Sequence, residues 1–498
     1  MLYLLKLFPE ITIKSRPVRR QQTRQLRKNI RAVLAEFDTA AQVSGDWDSI
    51  EVETAVSESD TLARIRERLC NTPGISMVSE VGKYPLPDLD GILTLALESY
   101  AERLAGKTFA VRCKRLGKHA FSSVDVERFV GGGLNGQTDA SGVNLTNPDV
   151  TVLLEVRHDV LYVVRKQSRG LGGFPLGCQE SVLSLISGGF DSSVSSYHCI
   201  RRGLQTHYCF FNLGGRAHEL AVKEVALYLW MKYHTSHRVK FISVPFEGVV
   251  SEILERVDNA QMGVILKRMM LRAAERVAAE LDIKALVTGE SVAQVSSQTL
   301  INLSVIDTAT DTLVLRPLAT SDKQEIIDTA RHIGTEEFSK HIPEYCAVIS
   351  RNPTTRARPE RIAREEARID MGVLDSAVAA ANYQLITEVM DDFGEQPHEV
   401  NIVNSIDSAD TVVDIRHPNE VELSPFKGAA DAANEFLNIP FYELRASLGE
   451  LAGKPRILLY CERGMMSRLH AANLQDEGFA NIAVLDLRDT QSAKKQVG

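Results

Sequence analysis

The sequence has 498 residues, of which 44% are hydrophobic and 24% charged, and its formal net charge is −8. At roughly 150 residues per domain, this length predicts three or four domains rather than one core. No stretch approaches the roughly 20 apolar residues that a membrane helix needs, so we expect no membrane partner and a cytoplasmic location.

Residues 1–60 predict a small α+β module. Apolar residues from Leu2 to Phe8 indicate a strand, Pro17 opens an amphipathic helix, and Ile50 to Val56 indicate a second strand. The apolar start is short and is broken by charged residues and a proline, which is unlike a signal peptide.

Residues 61–166 predict a second α+β module. A helix is expected up to Leu69, and alternation predicts a strand from Thr108 to Arg115. A short helix from Val124 is expected to stop at the run of three glycines that begins at Gly131. Two further strands are joined as a hairpin, over Val150 to Val156 and Val160 to Val164.

Two segments concentrate positive charge. Residues 1–31 hold nine Lys or Arg and one acid, which leaves −16 on the remaining chain, and residues 101–118 hold six Lys or Arg and one acid. Each segment alone is most simply a solvated face, but two in successive small domains favour RNA binding. Few aromatic residues accompany them, which predicts backbone and shape recognition rather than base stacking. The candidate RNA contacts are Arg20, Arg24, Arg27, Arg112, Lys114, Arg115 and Lys118.

Residues 167–180 are glycine-rich and indicate a linker, after which strands alternate with long helices. That alternation is typical of a parallel α/β sheet. Residues 350–400 are charged and helical and are interpreted as a spacer, and a smaller α/β unit begins near residue 403. The expected strands of the larger unit are Leu183–Ile186, His207–Phe211, Val239–Val244 and Ala285–Thr288, with an amphipathic helix over Met262–Leu281.

A glycine-rich loop follows the first of these strands and precedes a helix, with the sequence Ser187-Gly188-Gly189-Phe190-Asp191-Ser192. Its glycines let backbone N–H groups approach a phosphate, and the helix N-terminus favours negative charge. A tight structural turn is the alternative interpretation. The hexapeptide resembles the PP-loop of ATP pyrophosphatases, which implies AMP and pyrophosphate as products. No Walker A sequence occurs in the chain.

The seven cysteines are odd in number and no two are spaced as C-x-x-C, which argues against a disulfide framework or a zinc site. We expect five to be inert, apolar side chains. These five are Cys70, Cys113, Cys178, Cys199 and Cys209.

Cys461 is different because it follows a predicted strand, Ile457 to Tyr460, and precedes a helix. A loop of inward N–H groups at a helix N-terminus favours a nucleophilic thiolate. A buried cysteine at a strand end is the alternative. A phosphatase loop would need arginine where Ser467 stands, so the segment instead resembles a rhodanese loop, whose cysteine carries a persulfide. The sequence from Asp414 to Glu420 fits that domain too.

Several motifs follow the PP-loop in a fixed order. They are Lys267-Arg268-Met269-Met270, Thr288-Gly289-Glu290, Gln294 to Thr299, Arg316-Pro317-Leu318 and Asp322-Lys323. Together they resemble the tRNA uridine 4-sulfurtransferase (4-thiouridine synthetase) family in its long bacterial form. The resemblance implies a multidomain α+β and α/β fold. Its expected parts are a ferredoxin-like domain over 1–60, a THUMP domain over 61–166, a linker over 167–180, a doubly wound PP-loop domain over 181–346, a helical linker over 347–402 and a rhodanese domain over 403–498.

The resemblance also implies an ATP site with Mg²⁺ bridging phosphate oxygens, and it assigns no protein side chain to the metal. Asp191 and Lys323 become candidate catalytic residues for adenylation. The expected ATP contacts are Leu185, Ile186, Ser187, Gly188, Gly189, Ser192, Lys267, Gly289 and Gln298.

The implied sulfur chemistry pairs two cysteines. Cys461 receives sulfur from a cysteine desulfurase, and Cys346 then forms a disulfide with Cys461 that a reductant must open. Without the family, Cys346 is most simply an inert thiol. The tRNA would present uridine at position eight, and the family also implies sulfur transfer to a carrier protein for thiazole in thiamine synthesis.

Two other functions remain open from the sequence. One is a rhodanese-type sulfur carrier alone, and the other is a non-catalytic tRNA-binding protein. The intact phosphate loop argues against the second of these.

Overall fold

A computed structural model describes residues 1–45, 49–213, 215–342, 352–389, 401–416, 421–422, 425–426, 435–440, 444, 447–451, 453–461, 465–476 and 478–487. The chain divides into two units, which comprise residues 1–178 with 201–203 and residues 179–200 with 204–498. Among the described residues, no helix is both long and apolar enough to cross a bilayer.

The first unit is built on one mixed sheet of eight strands in the order β2-β3-β1-β4-β8-β7-β5-β6. The strands are β1 (Leu2–Leu7), β2 (Gln42–Ser44), β3 (Ser49–Glu53), β4 (Ile75–Pro85), β5 (Thr108–Leu116), β6 (Gly142–Val143), β7 (Val150–Arg157) and β8 (Val160–Arg169). The helices are α1 (Pro9–Thr12), α2 (Arg16–Leu34), α3 (Ser59–Cys70), α4 (Leu89–Leu104) and α5 (Ser123–Gln137).

Two hydrophobic cores lie along this sheet, and β4 joins them. The first core contains Leu26 of α2 and Leu69 of α3, and the second contains Leu93 of α4 and Val130 of α5. Because β4 pairs with β1 on one side and β8 on the other, both modules share one sheet. The predicted division at residue 60 is therefore wrong, since α3 packs into the first core.

The glycine run in α5 does not end the helix as predicted. The helix extends over Ser123–Gln137, and a capping box holds its start, with the Ser122 hydroxyl accepting from the Asp125 N–H and the Asp125 carboxylate accepting from the Ser122 N–H. Gly133 lies against α4, where a Cβ would come 2.3 Å from a methyl carbon of Leu93. Glycine here permits close packing of two helices, and sequence periodicity cannot show that contact.

The second unit contains a six-stranded sheet in the order β13-β12-β9-β10-β11-β14. Its strands are β9 (Ser181–Leu185), β10 (Gln205–Asn212), β11 (Lys240–Pro245), β12 (Ala285–Val287), β13 (Leu313–Leu315) and β14 (Asn382–Leu385). Its helices are α6 (Phe190–Arg201), α7 (Gly215–Tyr233), α8 (Glu247–Arg256), α9 (Met262–Glu280), α10 (Leu300–Asp307), α11 (Lys323–Ile333), α12 (Glu336–His341), α13 (Pro359–Glu366) and α14 (Met371–Ala379). The parallel connections diverge between β9 and β12, and such a switch point is where α/β sheets bind ligands.

The predicted helical linker over 347–402 is corrected in its described part. Ile362 of α13 and Leu374 of α14 are buried in the same core as α9, and β14 pairs antiparallel with β11. Glu366 receives two hydrogen bonds from the guanidinium of Arg268, at 2.7 and 2.9 Å. Residues 352–389 therefore belong to the domain built on the six-stranded sheet, whose predicted end at 346 is too early.

A separate parallel sheet of five strands forms the C-terminal part, in the order β15-β19-β18-β16-β17 over its described residues. Its strands are β15 (Ile402–Val403), β16 (Asp410–Asp414), β17 (Glu435–Asn438), β18 (Arg456–Tyr460) and β19 (Ile482–Leu485), and its helices are α15 (Leu448–Leu451) and α16 (Met465–Asp476). The central strand β18 ends directly at Cys461.

Candidate active site

The phosphate loop connects β9 to α6 and closes on itself through Ser192. The Ser192 hydroxyl accepts from the Ser187 N–H at 3.1 Å and donates to the Gly189 carbonyl at 3.1 Å. Gly188 has a φ of +79°, in the left-handed region that glycine tolerates. These bonds hold the loop at the N-terminus of α6. The loop N–H groups and the positive end of the helix dipole can therefore act on the same bound phosphate.

Gly289 brings the end of β12 against this loop. A Cβ at Gly289 would lie 2.6 Å from the carbonyl carbon of Asp191 and 2.8 Å from the Ser192 nitrogen. Only glycine permits that approach, and it places the segment after β12 beside the phosphate loop.

A cavity of about 460 Å³ lies at this switch point, within the range of small-molecule sites. The sequence-predicted residues that line it are Leu185, Ile186, Ser187, Gly189, Asp191, Ser192, Lys267, Gly289 and Gln298. Gly188 lies in the loop but is not among the lining residues, and a Cβ at this position would come 2.5 Å from Cδ1 of Ile342. The structure therefore brings together residues that are more than a hundred positions apart in the chain.

Two features of the cavity wall were not foreseen from the sequence. The Ile186 N–H donates to the Cys209 carbonyl at 2.9 Å, so this N–H is not available to a ligand. His218 lies in the wall, edge-on to Phe210. Burial lowers the pKa of His218, while a hydrogen bond with the backbone of Ser187 opposes that shift, so a neutral imidazole is expected at pH 7.

Lys267 is held by a buried carboxylate that sequence reasoning missed. Its Nζ lies 2.7 Å from Oε1 of Glu290, and Arg316 donates to Oε2 of the same group at 2.8 Å. Burial alone would raise the pKa of Glu290, but the two cations lower it to about 2. The only sequence signal for Glu290 was its position directly after Thr288-Gly289, at the end of a predicted strand.

This cluster predicts an acid-dependent loss of stability. The carboxylate of Glu290 has a pKa of about 2 in the folded chain against a usual value of 4.5, so its contribution is complete above pH 4.5. Replacement Glu290→Gln should lower the free energy of unfolding by about 3 kcal/mol at pH 7. The difference between wild type and variant should shrink as pH falls from 4.5 towards 2. Urea unfolding at several pH values measures it, and a pH-independent difference would contradict the ion-pair explanation.

Asp191 and Lys323, the predicted catalytic pair, are in contact. The Nζ of Lys323 lies 2.8 Å from Oδ1 of Asp191 and 5.5 Å from the ring centre of Phe190. A third residue joins them, since Nε2 of Gln294 donates to Oδ2 of Asp191 at 2.9 Å. Each carboxylate oxygen of Asp191 therefore accepts a hydrogen bond, which fixes the orientation of this side chain within the phosphate loop.

Cys461 lies at the carboxyl end of β18, before α16. The Ser467 N–H donates to its Sγ at 3.3 Å, and the Ser467 hydroxyl lies 3.4 Å from the sulfur. A helix N–H directed at sulfur stabilises a thiolate. Beside this loop the Arg416 guanidinium forms a buried ion pair with Asp414, with Nη2 to Oδ2 at 2.6 Å.

The remaining cysteines divide into two groups. Cys346 lies outside the described residues, so its predicted role stays a prediction. Burial raises the pKa of Cys70, Cys113 and Cys178 to about 11 and of Cys199 to about 12, and it raises that of Cys209 further. A raised pKa disfavours the thiolate form of all five at neutral pH.

The predicted RNA contacts lie on α2 and on or just after β5. Arg27, Arg112 and Arg115 each donate to a backbone carbonyl of their own unit, at 2.6 to 3.2 Å. Four others are exposed side chains: Arg20, Arg24, Lys114 and Lys118. Arg115 is exposed as well, whereas Arg27 and Arg112 are half-buried, so five of the seven predicted contacts are exposed to solvent.

Four family models match segments that together cover most of the chain. Residues 177–371 match the family described as Thiamine biosynthesis protein (ThiI), and residues 3–79 match the ThiI ferredoxin-like domain. Residues 87–164 match the THUMP domain and residues 400–487 the rhodanese-like domain. The predicted multidomain fold is confirmed by these matches.

Curated relatives and a solved structure extend over most of the sequence. A tRNA sulfurtransferase of Azotobacter vinelandii is 56% identical over 484 residues, which cover 97% of this chain and 99% of the relative. A tRNA sulfurtransferase of Pseudomonas aeruginosa is 55% identical with the same coverage. The crystal structure of a 4-thiouridine synthetase–RNA complex with bound ATP has a TM-score of 0.67 and 26% identity, and the match covers 77% of this chain and 99% of that one.

Proposed function

The chain belongs to the tRNA sulfurtransferase family, and we propose that it uses ATP to convert uridine at position eight of tRNA into 4-thiouridine. The observation that carries the proposal is the cavity between the phosphate loop and Gly289, with Asp191 and Lys323 in contact at its edge. The same chain holds a cysteine at the end of a central rhodanese strand, which supplies the sulfur.

The first chemical step is adenylation of the base. Oxygen O4 of the uracil attacks the α-phosphorus of ATP, the bond to the bridging oxygen breaks, pyrophosphate leaves, and the proton on N3 passes to water. The N–H groups of the loop bind the phosphates, and Lys323, fixed by Asp191, offsets the charge that develops on the α-phosphate.

The second stage replaces oxygen by sulfur. A cysteine desulfurase leaves a persulfide on Cys461, its terminal sulfur attacks C4 of the base, and AMP leaves. The thiolate of Cys346 then attacks the Cys461 sulfur, which gives a Cys346–Cys461 disulfide and releases the thiolated base, whose N3 regains a proton. A two-electron reductant must open this disulfide in each cycle.

The cavity residues fit Mg²⁺ only as an ion that would be bound through the ATP phosphates. Within the described ranges, no group of three or more His, Cys, Asp or Glu side chains is placed to share a metal ion. The two carboxylates that line the cavity, Asp191 and Glu290, already contact cations. Mg²⁺ commonly binds through substrate phosphates with few protein ligands, and it would supply charge neutralisation there.

The tRNA is held by the exposed arginine and lysine side chains of α2 and β5, through phosphate contacts. Sulfur transfer towards thiazole synthesis is a second function of the same rhodanese cysteine, to a carrier protein and without the ATP site. The Cys461 environment favours this because its described contacts, from Ser467, lie within the C-terminal domain.

A direct test uses purified protein, ATP labelled in the α-phosphate, and tRNA transcripts. We expect AMP release that depends on tRNA, and 4-thiouridine in digested tRNA when a desulfurase and cysteine are added. A transcript with cytidine at position eight is the matched control and should release no AMP above the tRNA-free level. Equal AMP release with and without tRNA would rule out adenylation of the base.

A further inference from the structure

The loop between β12 and α10 directs two glutamine side chains, Gln294 and Gln298, into the cavity wall. Backbone bonds close this loop, from the Ala293 N–H to the Gln298 carbonyl at 3.0 Å and from the Gln298 N–H to the Val295 carbonyl at 2.9 Å. Ala293 has a φ of +66°, a left-handed backbone conformation that residues other than glycine rarely adopt. Such strain persists only where the surroundings impose it, and here it fixes the residue just before Gln294.

The orientation of the Gln294 amide is set by charge. Its Nε2 donates to the Asp191 carboxylate at 2.9 Å, and the reverse orientation would put two oxygens in contact. The other end of the amide, Oε1, is buried and has no hydrogen-bond partner among the described residues. A buried acceptor normally has a donor, so the ligand should supply one.

The chemistry of the reactants identifies that donor, and the argument rests on the proposed function. ATP carries its hydrogen-bond donors on adenine and ribose, while its ionised phosphates are acceptors only. Gln294 contacts Asp191, which lies at the phosphate end of the site. The target uracil has one donor on its ring, N3–H, and it is adjacent to the O4 that reacts there.

We propose that Gln294 selects and activates the target uridine, with its Oε1 accepting a hydrogen bond from N3–H. This hydrogen bond polarises N3–H and moves electron density through C4 onto O4, which makes O4 a better nucleophile, and the proton itself leaves to water as O4 attacks. The Asp191 carboxylate strengthens the effect, because an amide whose N–H is bound by an anion is a stronger acceptor at its oxygen. Cytosine presents a lone pair at N3, which would oppose Oε1 and disfavour binding.

The test measures single-turnover pyrophosphate release at saturating ATP for Gln294→Leu and Gln294→Asn. The second variant keeps an amide but is one methylene too short to reach both Asp191 and the base. Gln298→Leu, which removes the other buried amide of the same loop, is the matched control. We expect the Gln294 variants to lose about 10²-fold in rate. The Gln298 variant should chiefly raise the ATP concentration needed for half-maximal rate.

A substrate with a more acidic N3 separates activation from general damage. Fluorine at C5 of the position-eight uracil acidifies N3, so it should restore the rate of Gln294→Leu by a larger factor than it changes the wild-type rate. The rate of this variant should also rise more steeply with pH. Thermal melts of each variant establish that it is folded.

Three results would overturn the proposal while wild type still thiolates tRNA. They are a wild-type rate in both Gln294 variants, an equal fluorine effect in wild type and variant, and a loss confined to ATP affinity. If wild type itself makes no adenylated or thiolated tRNA, the proposed function fails rather than the assignment of Gln294.

Discussion

Replacement of Cys461 by alanine should abolish tRNA thiolation, by at least about 10³-fold, because a side chain without sulfur cannot form the persulfide. Pyrophosphate release in a single turnover should persist, since the phosphate loop and the Asp191–Lys323 pair are separate from β18. Thiouridine is measured by mass spectrometry of digested tRNA, and persulfide by the added sulfur mass on the Cys461 peptide.

Two further cysteine variants sharpen this result. Cys178→Ala removes a half-buried thiol of raised pKa and should change thiolation by less than about twofold. Cys346→Ala should spare sulfur loading on Cys461 but stop tRNA thiolation, since no second thiolate opens the sulfur–sulfur bond. Loss of loading and thiolation together in Cys346→Ala would indicate a structural role for that residue.

Breaking the pair between Asp191 and Lys323 should give the second large effect. Asp191→Asn and Lys323→Ala should each slow adenylation by about 10²- to 10⁴-fold, because positioned charge at a reacting phosphate supplies that order of rate. The double variant should be no slower than the worse single variant, since groups that act as a unit are not additive. Single-turnover pyrophosphate release at saturating ATP and tRNA gives the rates.

An exposed ion pair elsewhere provides the control for this cycle. Lys284 and Asp282 are 2.6 Å apart, with side chains 75% and 88% exposed. Lys284→Ala should leave the adenylation rate within about twofold, because surface pairs contribute little. Additive losses in the Asp191–Lys323 cycle would show that the two residues act independently.

The sequence predicted the sites whose functional residues are consecutive in the chain. The phosphate loop and the Cys461 loop each follow a strand and precede a helix, so their backbone setting could be predicted together with their residues. The match to a family then named Lys323, which the structure places against Asp191 although they are 132 positions apart.

The sequence was uninformative where a residue owes its role to a distant partner. Glu290 is held by Lys267, 23 positions away, and Gln294 by Asp191, 103 positions away. The segment over 352–389 was mistaken for a spacer because its many charged residues conceal one buried face, which Ile362 and Leu374 provide. Gly133 was mistaken for a helix end because its close neighbour, Leu93, lies on another helix.

The edge strand β14 shortens the connection to the C-terminal domain. Since the chain is part of the nucleotide domain up to Val389, eleven residues connect it with Asn401, just before β15. Twelve Cα–Cα steps span at most about 40 Å in any conformation. A group confined within that radius of a fixed point has an effective concentration in the millimolar range. A sulfur atom on Cys461 would then be supplied as an intramolecular reagent, and a detached rhodanese domain would need millimolar concentrations to replace it.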